Sequence, residues 1–274
     1  MTTSPYSSDL RIGIVGLGAV GASLARTFDA GIPGIRLVGI TVRNPERAAG
    51  VLANLKNPPA LLDLDELAQA SDVVIECAPA TLLPQIALLV LSAGKKLVVL
   101  SSGALLENPH LIDLARLHGG QILVPTGALL GLDAVTAAAE GVIHSVRMIT
   151  RKPPRGLVGA PYLLENFISI EGLDKPKRVF KGSAREAARG FPANLNVVVA
   201  LSLAGIGPDR TTLEIWADPS VTRNTHLIEV DADSASLTMT IENIPSDNPR
   251  TGRITAQSVV ALLRKMNAPL RIGT

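Results

Sequence analysis

Nine residues gather the side chains most able to do chemistry: Asp218-Pro219-Ser220-Val221-Thr222-Arg223-Asn224-Thr225-His226, in a chain with only four histidines. An acid, a cation, an amide and an imidazole lie close together, and histidine is the side chain whose ordinary pKa falls near neutral pH. The combination suits proton transfer, with His226 as general acid or base. His110 and His118 fall on a polar helix pattern and His144 within a strand pattern, so none of them joins a comparable cluster. Two further segments end or open apolar elements with polar groups. Thr150-Arg151-Lys152-Pro153-Pro154 closes a strand with two cations, and Phe191-Pro192-Ala193-Asn194-Leu195-Asn196-Val197 opens an apolar helix with two amides. Arg151, Lys152 and Arg223 are the cations available to grip a carboxylate, and Asn194 and Asn224 are neighbouring amides for the same ligand. Asp218 has two readings: it orients a neighbour, or it caps a turn ahead of Pro219.

A cofactor for such a group is suggested by Gly16-Leu17-Gly18-Ala19-Val20-Gly21, which follows an apolar strand and opens a helix. In that setting the first glycine permits a tight turn and the second lets backbone approach a pyrophosphate. The third lets helix and strand pack closely, and the helix N-terminus offers free N–H groups to phosphate. Gly16, Gly18, Ala19, Val20 and Gly21 are therefore the expected dinucleotide contacts. About twenty residues on, an NAD-selective domain usually carries Asp or Glu. Here the chain reads Thr41-Val42-Arg43-Asn44, followed by Arg47. Arg43 and Arg47 either meet a 2′-phosphate or are solvated residues at a helix start. The cofactor expected is NAD or NADP, with Arg43 among its contacts.

The elements that must position these groups change character near residue 126. Before it, strand and helix patterns alternate: strands at 10–15, 37–42, 73–77, 96–100 and 121–124, and helices at 19–30, 45–55, 64–70, 82–91 and 109–118. That alternation predicts an α/β domain, a Rossmann-type parallel sheet with helices on both faces. After it come strand patterns at 142–150 and 213–216, a helix at 193–204 and a hairpin of 226–230 with 236–241 around Asp231-Ala232-Asp233. These antiparallel signals predict an α+β catalytic domain. The expected organisation is a dinucleotide-binding domain at 1–125, a substrate domain at 126–250, and a C-terminal segment at 251–274 whose helix packs back on the first domain. Pro125-Thr126-Gly127-Ala128-Leu129-Leu130-Gly131-Leu132-Asp133 joins the two through small residues, which suits close approach of backbone to a nicotinamide ring.

Composition narrows the partners. Apolar residues make up 47% of the 274 and charged residues 18%, enough apolar surface to fold without staples. Aromatics at 3% leave few platforms for stacking bases, and a net charge of +2 without a basic run does not make a nucleic-acid footprint. Cys77, the single cysteine, excludes an internal disulfide and a multi-cysteine metal site, and no metal is expected. The polar stretch 1–9 lacks the pattern of a signal peptide, and the apolar run at 86–91 is far short of a bilayer's about 20 residues. A cytoplasmic homodimer or other homo-oligomer acting on a small molecule, with no membrane or nucleic-acid partner, is the expectation.

Taken together, the segments PxGA…GLD at 125–133, TRKPP at 150–154, FPxNxNV at 191–197, ADPxVxRNxH at 217–226 and ENxPxxNPxT at 242–251 resemble the L-aspartate dehydrogenase family. The resemblance runs over essentially the whole chain. It implies a Rossmann domain followed by a catalytic domain, and oxidation of L-aspartate with NAD or NADP to iminosuccinate, which hydrolyses to oxaloacetate and ammonia, or the reverse reductive amination. It implies that His226 is the catalytic histidine and that Ala128 and Asn196 contact the cofactor. The substrate it implies is an amino or imino dicarboxylate. The chain departs from the family's common NPKTS by reading Asn248-Pro249-Arg250-Thr251-Gly252, without the final hydroxyl. A reductase of another small imino or keto acid, and a non-catalytic dinucleotide-binding sensor, are the competing readings.

Overall fold

The computed structural model describes residues 9–191, 195–245 and 252–273. The chain divides into two compact units, the first running to Pro125 and taking in Val259–Arg271, the second comprising mainly Thr126–Ser258. Among the described residues, no helix is long and apolar enough to cross a membrane.

The first unit is a six-stranded parallel sheet of β1 (Leu10–Val15), β2 (Ile35–Thr41), β3 (Ala60–Leu61), β4 (Val73–Glu76), β5 (Lys96–Val99) and β6 (Gln121–Leu123), in the order β3-β2-β1-β4-β5-β6. Its helices are α1 (Ala19–Asp29), α2 (Pro45–Leu52), α3 (Leu64–Ala70), α4 (Leu83–Ser92), α5 (Gly103–Glu107) and α6 (His110–His118). Central strands of such a sheet are covered on both faces, which is why β4 is buried at every residue and β1 over its last four. Local signals start the helices where the sequence suggests. Asn44 caps α2 by accepting from the Arg47 amide at 3.0 Å, and Asp63 with Glu66 forms a capping box on α3. The strand order reverses between β1 and β4, and in such sheets ligands bind outside the carboxyl ends of the strands at that reversal.

The second unit comprises α7 (Leu132–Ala139), β7 (Ile143–Lys152), α8 (Pro161–Glu165), β8 (Lys177–Ser183), α9 (Ala184–Gly190), α10 (Asn196–Ala204), β9 (Thr211–Ala217), β10 (Asn224–Ala232) and β11 (Ser236–Asn243). Its sheet runs β11-β10-β7-β9-β8. The hairpin β10–β11 forms, but the sheet is mixed, not antiparallel throughout: β7 and β9 run parallel at its centre. The chain between them makes the crossover that parallel neighbours require. Strand β8, which the sequence pattern does not announce, sits at the sheet edge. A register shift between Arg178 and Phe180 leaves Val179 and Phe180 both buried, which erases the alternation of a strand. Helix α9 does carry a readable start, because Ser183 and Glu186 form a capping box. The last helix, α11 (Ile254–Asn267), belongs to the first unit from Val259 onward, and Asn267 Nδ2 donates to the Gly34 carbonyl at 2.9 Å.

The start of β1 is tied to the residue preceding β4. The Asp72 carboxylate accepts from the Arg11 backbone amide at 2.9 Å and from its guanidinium at 2.6 Å. The Arg11 guanidinium chiefly, with its charge, outweighs burial and holds the Asp72 carboxyl below its ordinary 3.8. A depressed carboxyl stabilises the fold above the unfolded value, and the contribution disappears as pH falls through the folded one. Because the two side chains remain 40% and 37% exposed, the pair contributes only about 0.5–1 kcal/mol. Asp72→Asn should therefore lower stability by that amount at pH 7 in urea unfolding, and the difference from wild type should shrink toward zero below pH 3.8.

Candidate active site

Two strand ends of the second unit bring the site together. Strands β7 and β10 pair antiparallel with His226 directly opposite Thr150, and Thr150 Oγ1 lies 3.1 Å from His226 Nδ1. Side chains on a strand alternate between faces. Val146, Met148, Thr150 and Lys152 of β7 therefore share the core-facing side with His226, Ile228 and Val230 of β10. His226 is 3% exposed and Lys152 4% exposed, so an imidazole and an ammonium occupy the end of an otherwise apolar face. Burial first, and the Lys152 charge second, hold the His226 pKa down to about 3. The sequence expectation of a histidine titrating near neutral pH is corrected here: burial beside Lys152 favours the neutral imidazole of His226. Desolvation disfavours its cation, and a like charge disfavours it further.

The other motif residues divide by face. Arg151 points to the opposite side of the sheet from His226, because it is one residue out of phase with Thr150. There its guanidinium donates to Asp218 at 3.0 Å and lies 5.0 Å from the centre of the Trp216 ring. Arg151, offered by the sequence as one of the cations for a carboxylate, thus stands on the face opposite Lys152 and His226, since adjacent strand residues alternate faces. Asp218 satisfies both of its readings at once, capping the turn by accepting from the Ser220 amide at 2.9 Å and orienting Arg151, not the histidine. Burial alone would raise the Asp218 carboxyl, but the Ser220 hydroxyl and amide together with Arg151 outweigh it and hold the carboxyl below its ordinary value. Asn224 is two residues from His226 on β10 and shares its face, while Arg223 is exposed just before the strand. Asn196 is exposed and opens α10. Asn194 and the stretch 248–251 lie outside the described residues.

Two residues of the site escape a reading based on charge and histidines. Thr150 is one, since a threonine in a strand is ordinary until its partner strand is known. Asn243 is the other. It opposes Asn224 across β10 and β11, is buried, and donates from Nδ2 to the Ala128 carbonyl at 2.9 Å. The Ala128 loop is thereby fastened to the same end of the sheet as His226. Among the described residues Asn243 Oδ1 has no hydrogen-bond partner, and a side-chain atom added at Gly252 would stand 3.1 Å from it. The motif Glu242-Asn243-Ile244-Pro245 was the available signal for Asn243.

In the first unit the glycine loop fits a dinucleotide. Gly16 has φ +95° and a Cβ there would fall 2.6 Å from the Cys77 carbonyl oxygen, so only glycine makes the turn. At Gly21 a Cβ would strike the Gly16 carbonyl oxygen. At Gly18, by contrast, a Cβ would meet nothing within 4 Å, so the chain's own packing leaves that space open. No side chain caps the N-terminus of α1, where Ala19, Val20 and Gly21 form the first turn. An open cradle above uncapped helix amides suits a pyrophosphate. Arg43 is exposed beyond the carboxyl end of β2, the end at which dinucleotide ribose is recognised in this topology.

The electrostatics of His226 can be read directly. Its imidazole Hε1 resonance should show no titration between pH 5 and 8 in the ligand-free protein. Lys152→Met should move the midpoint up from about 3, while continued burial keeps it below the ordinary 6.5. An unchanged midpoint would remove Lys152 as a source of the shift.

Known proteins resemble the chain over its length. Residues 133–266 match the family model described as aspartate dehydrogenase, C-terminal, and residues 16–125 the one described as homoserine dehydrogenase, NAD binding domain. L-aspartate dehydrogenase 3 of Bordetella bronchiseptica is 61% identical over 267 residues, covering 97% of this chain and 98% of the relative. L-aspartate dehydrogenase of Bradyrhizobium diazoefficiens is 56% identical over 274 residues, covering 100% and 98%. The crystal structure of aspartate dehydrogenase from Thermotoga maritima shares the fold, with a TM-score of 0.77 at 22% identity over 96% of this chain and 99% of that one. With relatives more than half identical from end to end, a nucleotide-binding sheet and a matching second domain, the chain belongs to the L-aspartate dehydrogenase family of oxidoreductases.

Proposed function

We propose that the chain oxidises L-aspartate to iminosuccinate with NAD or NADP, the imine then hydrolysing to oxaloacetate and ammonia, and that it also runs the reverse reductive amination. The observation that carries this reading is the pairing of His226 with Lys152 on one buried face: a base for an amine beside a cation for a carboxylate. The names of the two bacterial relatives support aspartate as the amine.

The bound dinucleotide supplies the hydride acceptor in one direction and the hydride donor in the other. The chain's residues do the rest. Lys152 pairs with one substrate carboxylate, and Arg223, exposed at the entry to β10, meets the second; Asn224 adds an amide on the His226 face. His226 uses the tautomer in which Nδ1–H donates to Thr150 Oγ1, leaving the Nε2 lone pair to accept a proton from the substrate amine. Once that proton has passed to solvent, the neutral imidazole takes a proton from water as its oxygen adds to the imine carbon. A carboxylate seated on Lys152 cancels part of the field that holds the imidazole's proton affinity down, so the base strengthens when substrate arrives. Gly16, Gly18, Ala19, Val20 and Gly21 cradle the pyrophosphate, Ala128 and Asn196 contact the cofactor, and Arg43 accommodates a 2′-phosphate.

The direct test is NADH or NADPH formation with L-aspartate at alkaline pH, where more of the amine is neutral. His226→Ala should lower kcat by about 10²–10⁴-fold while leaving cofactor binding unchanged. Full turnover in that variant removes His226 from the mechanism. Reduction of other imino acids, with none of oxaloacetate plus ammonia, would make the chain a reductase of a different acid. Arg43→Ala should shift the binding preference from NADP toward NAD, and an unaltered ratio would dismiss Arg43 as a selector.

A further inference from the structure

Away from the histidine, the first unit buries a carboxylate that the proposed chemistry does not use. Glu76 is the last residue of β4, wholly buried, and in register with Val15 at the end of β1 and Val99 at the end of β5. It sits directly at the point where the strand order reverses. Its Oε1 accepts from the Ala78 amide at 3.0 Å and the Ser101 hydroxyl at 3.1 Å. Its Oε2 accepts from the Leu100 amide at 3.1 Å and the Ser101 amide at 2.9 Å. Every one of these partners is a donor, which fits an ionised carboxylate, the form that only accepts. Burial pushes the carboxyl above the usual range, and the hydrogen bonds oppose that push.

One side chain thus fastens two loops, 77–79 after β4 and 100–102 after β5. The first of these also backs the glycine turn. The Cys77 amide donates to the Val15 carbonyl at 2.9 Å, and its carbonyl is the atom that restricts position 16 to glycine. In this topology the adenosine ribose is read at the end of β2, on one side of β1. A dinucleotide crossing the reversal point therefore carries its nicotinamide half toward β4 and β5, over the two loops that Glu76 holds.

We propose that Glu76 is a positioning residue for the nicotinamide half of the cofactor, its carboxylate fixing loops 77–79 and 100–102 in the arrangement that half requires. The inference rests on the reading of the first unit as a nicotinamide dinucleotide site. Glutamine in its place keeps the shape but turns an –NH2 toward amides that also donate, so the loops must part from it.

The test compares whole cofactor with its adenosine half. Binding of NADH or NADPH, whichever wild type holds more tightly, is titrated alongside ADP-ribose or its 2′-phosphate. Glu76→Gln should weaken the intact dinucleotide about tenfold or more, as expected from loss of charge-assisted hydrogen bonds, and leave the fragment within about twofold. Ser101→Ala, which removes one of the four donors and tests the idea should Glu76→Gln not fold, should weaken the dinucleotide about threefold to tenfold. Ser101→Thr, which keeps the hydroxyl, should restore binding. Equal weakening of dinucleotide and fragment would mean a general loss of structure and would overturn the assignment, as would wild-type affinity in both Glu76→Gln and Ser101→Ala. A wild-type chain that binds neither ligand would remove the cofactor reading itself, and the inference with it.

Discussion

The register between β7 and β10 is the constraint on which the second unit's candidate site depends. Thr150 faces His226 across that pair, and the alternation of strand side chains then assigns Lys152, Asn224 and Asn243 to the same side and Arg151 to the other. A slip of one residue would invert the strand that moves, exposing the imidazole if β10 slips or turning Arg151 to the core if β7 does. The apolar run of Val146, Met148, Ile228 and Val230 resists such a slip, because each would leave the core. The geometry around His226 is thus held by the same burial that stabilises the sheet.

That arrangement has an electrostatic consequence. An imidazole in an apolar setting beside an ammonium is a weak base, and it remains neutral throughout the physiological range. Neutrality is the form a proton acceptor needs. The Lys152 charge disfavours protonation, and under the proposed chemistry a dicarboxylate seated there would relieve part of that effect. On the far side of the same sheet, Arg151, Asp218 and Trp216 form a separate assembly in which the charges satisfy one another. The strand thus carries two cations one residue apart on opposite faces.

The first unit solves a comparable problem with a carboxylate. The carboxyl ends of parallel strands leave loops that have no ladder to hold them, and Glu76 supplies three backbone amides and a hydroxyl with one acceptor group. Burying an ionised carboxylate is costly unless every lone pair finds a donor, and here both oxygens find two. Glycine at positions 16 and 21 meets the complementary demand, since the backbone there approaches neighbouring carbonyls too closely for any side chain.

What the sequence determined by itself was mostly local. The helix patterns at 45–55 and 64–70 begin where Asn44 and Asp63 cap them, because a cap and its partner amide lie three residues apart; Ser183 carries the same local signal for α9, which the pattern reading left out. The glycine loop followed from its spacing between an apolar strand and a helix. The histidine stood out by its polar neighbours, and the family motifs stood out by their combination. The tertiary structure decided everything that requires two distant segments to meet: the parallel pairing of β7 with β9, the edge strand β8, the partnership of Thr150 with His226, and the hold of Asn243 on the Ala128 loop. It also decided which of two adjacent cations faces the imidazole. Residue type and spacing encode what a chain can do within a few residues, whereas pairing register, burial and the field of a neighbouring charge exist only once remote strands are side by side.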